Sequence, residues 1–408
     1  MPSPAHAGDA LPAMPVARTA LLDPPAEYTA LREDQPILKV RFPNGTSGWL
    51  VTRFEEGSEV FGHPKMSARR PRHDTPEDEA SEAGEDAPFN PTFVMMDEPD
   101  HSRYRRLLSG RFAPKSVAQK LQPYIDRIVD EHLDAIEAGP RTFDLIQALA
   151  LPIPCLVICE LLGVPYADRD GFHEATEQLM DMSRPRAERD AGAHWLIDYI
   201  TKLVAEKRST GVTDGILSEL IAHADAEDGF LTDDEVIGMG VLLLFAGHDT
   251  TASMLGLSSL TLLTHPQQRR DLVEHPEKTG RAVEELLRYL TIVQFGLGRV
   301  ALEDVEIGGQ AIAAGDLVVV AMPAANRDPR VFTDPDVPDF DRRMTRHLAF
   351  GYGVHQCLGQ NVARAELKTV LPRLFTRFPG LRLAVPVDEV PMDVLGTNYA
   401  VKRLMVTR

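Results

Sequence analysis

The chain has 408 residues, with 43 Lys and Arg against 61 Asp and Glu, and a formal net charge of -18. That charge leaves no global positive field to neutralise phosphates, which argues against nucleic acid as a partner. Its three cysteines, Cys155, Cys159 and Cys357, make no disulfide framework and suit a reducing compartment.

Residues 1–28 are proline-rich and lack the apolar stretch of a signal peptide, and residues 1–20 are expected to be disordered. Residues 37–42 and 49–54 read as two strands joined through Pro43-Asn44-Gly45, so a β-rich part is expected over about 35–60. Residues 69–90 run from basic (Arg69, Arg70, Arg72) to acidic (Asp74, Glu77, Asp78, Glu79, Glu82, Glu85, Asp86) with almost no large apolar side chain. This composition predicts a solvated loop. Its acidic part, 74–86, either attracts a cationic substrate group or only solvates an open lid.

From 101 to 290 good helix formers recur with period 3.6, broken at Pro165, Gly211 and Pro266. Asp100 suits a helix start after Pro99, and His101 and Arg105 then lie at i and i+4 on one face. Cys155 and Cys159 are one turn apart in an apolar stretch and read as buried core thiols. Thr232-Asp233-Asp234-Glu235 is a capping box that opens the most apolar helix of the chain. That helix carries His248 and Asp249 near its middle, so it reads as buried in protein and not as a membrane span.

Within it stands Ala246-Gly247-His248-Asp249-Thr250-Thr251. Ala246 and Gly247 are small enough for a flat cofactor to lie against the backbone. Thr250 can bond the carbonyl of Ala246 one turn back and loosen the helix, with Asp249 beside it as a proton source. Glu285 and Arg288, at i and i+3, share a helix face.

Strands are expected over 298–322, including a hairpin across Gly308-Gly309, and again over 380–408. Between them lies Phe350-Gly351-Tyr352-Gly353-Val354-His355-Gln356-Cys357-Leu358-Gly359, a glycine-rich loop ahead of a long helical pattern. A sulfur at Cys357 sits near unpaired helix N–H groups that favour negative charge. It supplies one metal ligand, so the rest must come from a cofactor.

The segment 350–359 resembles the haem-binding loop of the cytochrome P450 family, Phe-x-x-Gly-x-x-x-Cys-x-Gly, with Phe350, Gly353, Cys357 and Gly359 at the fixed positions. Residues 246–250 resemble its acid–alcohol motif, and Glu285 with Arg288 its Glu-x-x-Arg pair. The family's Arg before the Phe-Asp pair of the following coil is missing here: Asp339 precedes Phe340-Asp341, leaving Arg342 or Arg343 as substitutes.

The resemblance implies a mainly α fold with small β-sheets: the triangular cytochrome P450 fold, one domain over 21–408, with haem between a long central helix and the cysteine loop. It implies haem b bound by Cys357 as the iron ligand, with Phe350, Gly351, Gly359, Ala246 and Gly247 around it and His101, Arg105, Arg299 and His355 on the propionates. Asp249, Thr250 and Thr251 are the implied proton-delivery residues for O2 activation. The implied distal wall includes Met95, Met96, Leu243, Ile292, Val293, Phe295, Leu297 and Thr397, with Met180 and Met182 adding adaptable surface.

The expected activity is monooxygenation of a lipophilic natural product, such as a polyketide, macrolide or terpenoid. A peroxygenase and a haem gas sensor are the alternatives. The first needs no relay such as Asp249-Thr250, and no residue block is left for a sensor's output domain. A ferredoxin with its NAD(P)H-dependent reductase is the expected electron source, docking on Arg103, Arg106, Arg111, Lys115, Arg327, Arg342, Arg343, Arg364 and Lys368. The protein is expected to be a cytoplasmic monomer.

Overall fold

A computed structural model describes residues 11–69, 93–180, 184–226, 230–294, 297–343, 346–394 and 396–408. The acidic segment 74–86, Met182 and Phe295 lie outside this set.

The N-terminal half opens with α1 (Glu27–Asp34), then β1 (Ile37–Arg41) and β2 (Ser47–Val51), an antiparallel pair turning through Gly45 at φ 88°. β2 ends earlier than the pattern predicted, because Phe54 begins helix α2 (Phe54–Gly62) and buries its ring in a second core cluster. A short β3 (Met66–Ser67) follows. Residues 11–20, expected to be disordered, are instead tied down. Arg41 donates to Pro12 O and accepts from Met14 N, Met14 is buried, and the Arg18 guanidinium lies 3.7 Å from the Tyr399 ring centroid. Their prolines suit an extended strap as well as they suit disorder.

The helical body comprises α3 (Asp100–Phe112), α4 (Gln122–Ala138), α5 (Pro152–Leu162), α6 (Arg169–Met180), α7 (Arg186–Thr210), α8 (Gly215–Ala224), α9 (Asp233–Thr264), α10 (Pro266–Glu274) and α11 (Thr279–Leu290). One strand, β4 (Thr142–Asp144), interrupts it. α9 starts at the expected capping box: Thr232 Oγ1 accepts from Glu235 N at 3.2 Å, and Glu235 Oε2 accepts from Thr232 N at 2.7 Å. It is the one described helix long and apolar enough to cross a membrane, yet it packs against α5, α7, α8 and α13 (Gln360–Arg377) and most of it is buried. Cys155 and Cys159 are buried in the same core, as their apolar surroundings predicted.

The remaining strands assemble around this body. β5 (Gly298–Ala301) and β8 (Leu317–Val320) join the first three strands in a sheet of order β1-β2-β8-β5-β3, with β2 and β8 parallel and the other pairs antiparallel. β6 (Val305–Ile307) and β7 (Gln310–Ile312) form the hairpin across Gly308 and Gly309, both at positive φ. After α12 (Met322–Ala325) and α13 come β9 (Arg382–Leu383), β10 (Met392–Asp393), β11 (Ala400–Val401) and β12 (Met405–Thr407). β12 pairs with both β4 and β9, and β10 with β11.

Glu285 and Arg288 on α11 are 1% and 0% exposed and form a bidentate pair at 2.7 and 2.8 Å. The third partner is Arg342, whose Nε sits 3.1 Å from both Glu285 oxygens. Asp339 does contribute, but through its backbone N–H, which donates to Glu285 at 2.9 Å. Arg288 also donates to the carbonyls of Asn326 and Pro335. The Asn326 side chain then donates to Thr291 Oγ1 and accepts from Leu348 N, two residues before Phe350. The triad thus fixes the coil that presents the cysteine loop. Removing one member of a buried ion cluster leaves the others uncompensated, so Arg288→Leu should cost roughly 3–5 kcal/mol. Chemical denaturation of the variant checks this; an unchanged midpoint would contradict it.

Candidate functional site

Cys357 differs from the other two thiols: it is accessible, and they are not. Its backbone N–H donates to Phe350 O at 2.9 Å, closing the loop on itself. Gly353 at φ 75° brings the loop so near α2 that a Cβ there would stand 2.9 Å from Phe61 O, and Gly351 also has positive φ, 68°. A Cβ at Gly359 would lie 4.0 Å from Cys357 Sγ, at the start of α13. Although the sulfur is accessible, the protein atoms packed around it disfavour its charged form and raise its pKa, against the pull of the Gly359 and Gln360 N–H groups and the charges of Arg105 and Arg364. A bound metal ion is the charge that deprotonates such a thiol outright.

Four other predicted residues converge beside it. Arg105 on α3 donates to Gln356 O at 2.6 Å, next to the cysteine. His101, one turn earlier, packs against His355 with ring centroids 4.0 Å apart and the rings tilted by 41°. Burial lowers the pKa of both rings, with Arg105 and Arg299 lowering them further; His355 falls to about 4. Burial thus favours the neutral form of both rings, with Glu98 acting against it at His101. Arg299, in β5 next to β8, lies over the Phe61 ring at 5.3 Å. His101 Nε2 and His355 Nδ1 are buried without a hydrogen-bond partner, which is rare for such groups. A cavity of about 830 Å³ borders this loop, lined by Phe350, Gly353, His355 and Gln356 together with α2.

On α9, Ala246 is exposed although the helix around it is largely buried. Thr250, one turn on, donates its Oγ1 to Ala246 O at 2.8 Å, as the spacing predicted. The helix nevertheless runs unbroken from Asp233 to Thr264, so the loosening expected there is not a break in the backbone. Gly247 corrects the expectation that it lies against the cofactor. A Cβ there would meet Ile158 of α5 at 2.7 Å, so its smallness serves helix packing. Thr251 is buried at 5% exposure.

Asp249 is held by Asn398, whose Nδ2 donates to Oδ2 at 3.0 Å. Burial raises the carboxyl pKa; Asn398 and His173 act against it, and Asp393 and Glu177 with it. His248 turns to α6, where its Nε2 is 2.9 Å from His173 Nδ1, and burial lowers its pKa to about 3.

Among the wall residues, Leu243 is buried, Met95 and Leu297 are exposed, and Met96 and Ile292 pack on the main core. Val293 forms an antiparallel bridge with Asn398, and Thr397 lines a second cavity with Asp249. Of the basic set, Arg327 does not belong to a surface. It is fully buried, donating to Tyr289 O and to Asp336. Arg342 is spent inside the triad. Arg103, Arg111 and Arg364 are paired with Glu235, Glu219 and Glu284. Arg106, Lys115, Arg343 and Lys368 stay exposed.

A family model described as "Cytochrome P450" matches residues 277–392. The chain is 43% identical over 384 residues to "Cytochrome P450-SU2" of Streptomyces griseolus, covering 94% of this chain and 93% of that one. The chain belongs to the cytochrome P450 family. It is also 41% identical over 408 residues to "Pentalenic acid synthase" of Streptomyces avermitilis, at full coverage of both. The crystal structure of CYP105P1 in complex with filipin I superposes with a TM-score of 0.90 at 39% identity, covering 98% of this chain and 99% of that one. The fold is the P450 fold, and the enzyme is a haem-iron monooxygenase that uses O2. The residues present fit such a group: one accessible thiol, two partnerless imidazole nitrogens and two guanidiniums suit a flat iron complex bearing two carboxylates.

Sequence reasoning passed over Glu284 and Asn398. Glu284 receives Arg364 from α13 at 2.6 and 2.9 Å and lies 3.1 Å from His347 Nε2. It thereby ties α11 to both flanks of the cysteine loop. Burial alone would raise its pKa, but these partners lower it from 4.5 to about 2. A carboxyl depressed in the folded state stabilises above its unfolded pKa and loses that effect as pH falls through its folded one. The stability gap between wild type and Glu284→Gln should therefore be full above about pH 4.5 and close toward pH 2. Denaturation midpoints at several pH values check this; a gap that does not change with pH contradicts it.

Proposed function

We propose that Cys357 is the iron ligand, that His101, Arg105, Arg299 and His355 hold the carboxylates of haem b, and that Ala246 provides the surface against which it lies. The observation that carries this reading is the convergence of one accessible thiol with two buried, partnerless imidazole nitrogens. When bound, the haem would supply O2 binding and oxygen transfer, and Cys357 as its thiolate ligand would favour O–O cleavage. The protein's share is to orient the substrate, limit water and move protons.

Thr250 presents a hydroxyl on the exposed side of α9, fixed by its bond to Ala246 O. It can accept hydrogen bonds and pass on a proton. Asp249, one residue earlier, resupplies it; burial raises its pKa and so favours the protonated form that can give a proton. Thr251, buried beside them, is the lesser member of this group.

The substrate reading is a lipophilic natural product. Exposed Met95 and Leu297, with Ile292, Val293 and Thr397 nearby in sequence or pairing, support an apolar, adaptable wall. Relatives that include a pentalenic acid synthase and a filipin I-binding P450 support the same class. A ferredoxin with its reductase is the proposed electron source, received by the exposed cations Arg106, Lys115, Arg343 and Lys368 on an otherwise acidic protein.

Reconstitution with NAD(P)H, a ferredoxin and its reductase tests the reading. Turnover should require all three, and Thr250→Ala should divert most reducing equivalents into hydrogen peroxide while product falls. Undiminished product per NAD(P)H in Thr250→Ala would remove the relay role. Equal turnover from hydrogen peroxide alone would favour a peroxygenase.

A further inference from the structure

The acid of the proton relay is held by a residue far away in the chain. Asn398 is 5% exposed, and its side-chain N–H donates to Asp249 Oδ2 at 3.0 Å across 149 residues of sequence. Its backbone is equally constrained. Asn398 bridges Val293, Tyr399 N donates to Ile292 O at 2.7 Å, and Gln294 N donates to Thr397 O at 3.0 Å. Segment 397–399 is thus laced to segment 292–294, the proposed substrate wall.

On this side of α9 lies a cavity of about 210 Å³, separate from the one at the cysteine loop. Asp249 and Asn398 line it, with His173 and Glu177 from α6, Asp393 at the end of β10 and Lys402 just after β11. The cavity carries polar groups on a mixed wall and is large enough for several waters. Lys402 is 3.9 Å from Asp393, and His248 on α9 itself is bonded to His173.

We propose that Asn398 is a positioning residue for Asp249: it holds the carboxylate toward this second cavity and ties the acid to the strand segments that wall the substrate pocket. The proposal rests on the relay reading of Asp249 and Thr250. A donor to the charged carboxylate favours ionisation, which offsets part of the effect of burial and of the Glu177 and Asp393 charges. Without it the acid holds its proton more tightly and is free to swing out of line. The arrangement also gives substrate a physical route to the acid, since displacement of segment 292–294 is transmitted to Asn398 through backbone hydrogen bonds.

The test uses the haem-loaded enzyme and two variants, Asn398→Leu, which removes the donor, and the isosteric Asn398→Asp, which replaces it with a like charge. Infrared difference spectra against Asp249→Asn isolate the protonated carboxyl band of Asp249. In both Asn398 variants that band should persist to higher pH, by about 1–2 pH units for the lost hydrogen bond. Product per NAD(P)H should fall several-fold, with substrate affinity changed much less. If Asp249→Asn uncouples turnover but the band and coupling of both Asn398 variants match wild type, the positioning role is wrong and the relay stands. If Asp249→Asn leaves coupling intact, the relay reading fails and takes this inference with it.

Discussion

A metal-binding sulfur has to be accessible and immobile at once, and the architecture around Cys357 follows from those two demands. Accessibility comes from its position at the mouth of a helix, on a glycine-shaped loop that folds back onto Phe350. Immobility is imported. The loop's N-terminal flank is bound by Asn326, which is bound in turn by the Glu285–Arg288–Arg342 cluster. Its C-terminal flank is bound through Arg364 to Glu284. Two carboxylates adjacent on α11 thus brace the loop from both ends, one buried almost completely and one at its edge. Neither contact is strong evidence of stability by itself, since desolvation offsets much of the attraction. Together they specify geometry.

The same economy governs the other side of the site. α9 is mostly buried, and in its middle the exposed or polar positions face separate surroundings. Ala246 and Thr250 share one face, one turn apart. Asp249 points to a different face and finds Asn398, and His248 to another and finds His173. Consecutive residues therefore serve separate surroundings, because a helix turns by about 100° per residue. Gly247 completes the pattern by letting α5 approach, through Ile158.

Much of this was legible in the sequence because it is local. The capping box of α9, the Gly308-Gly309 hairpin, the bond from Thr250 to Ala246 and the cysteine loop all depend on residues within a few positions of each other. What was not legible is long-range. Arg327 looks like a surface charge in a coil of mixed polarity, and only the fold shows it buried against Asp336 and Tyr289; between Arg342 and Arg343 as third partner of Glu285, the fold decides for Arg342. Asn398 sits in a tail with no motif, and its partner is 149 residues away. Gly247 was assigned to the cofactor because smallness does not say which neighbour it admits. The strap at 11–20 was misread for a related reason: proline content does not distinguish a chain that lacks partners from one that has them in β1 and near Tyr399.

The central claim is that the Cys357 sulfur is the protein's ligand to haem iron. The most direct measurement is the absorption spectrum of the purified, reduced protein under carbon monoxide. The account predicts the strongly red-shifted Soret band of a haem whose axial ligand is a thiolate. A CO complex with the Soret position of a histidine-ligated haem, or a protein that takes up no hemin, would contradict it.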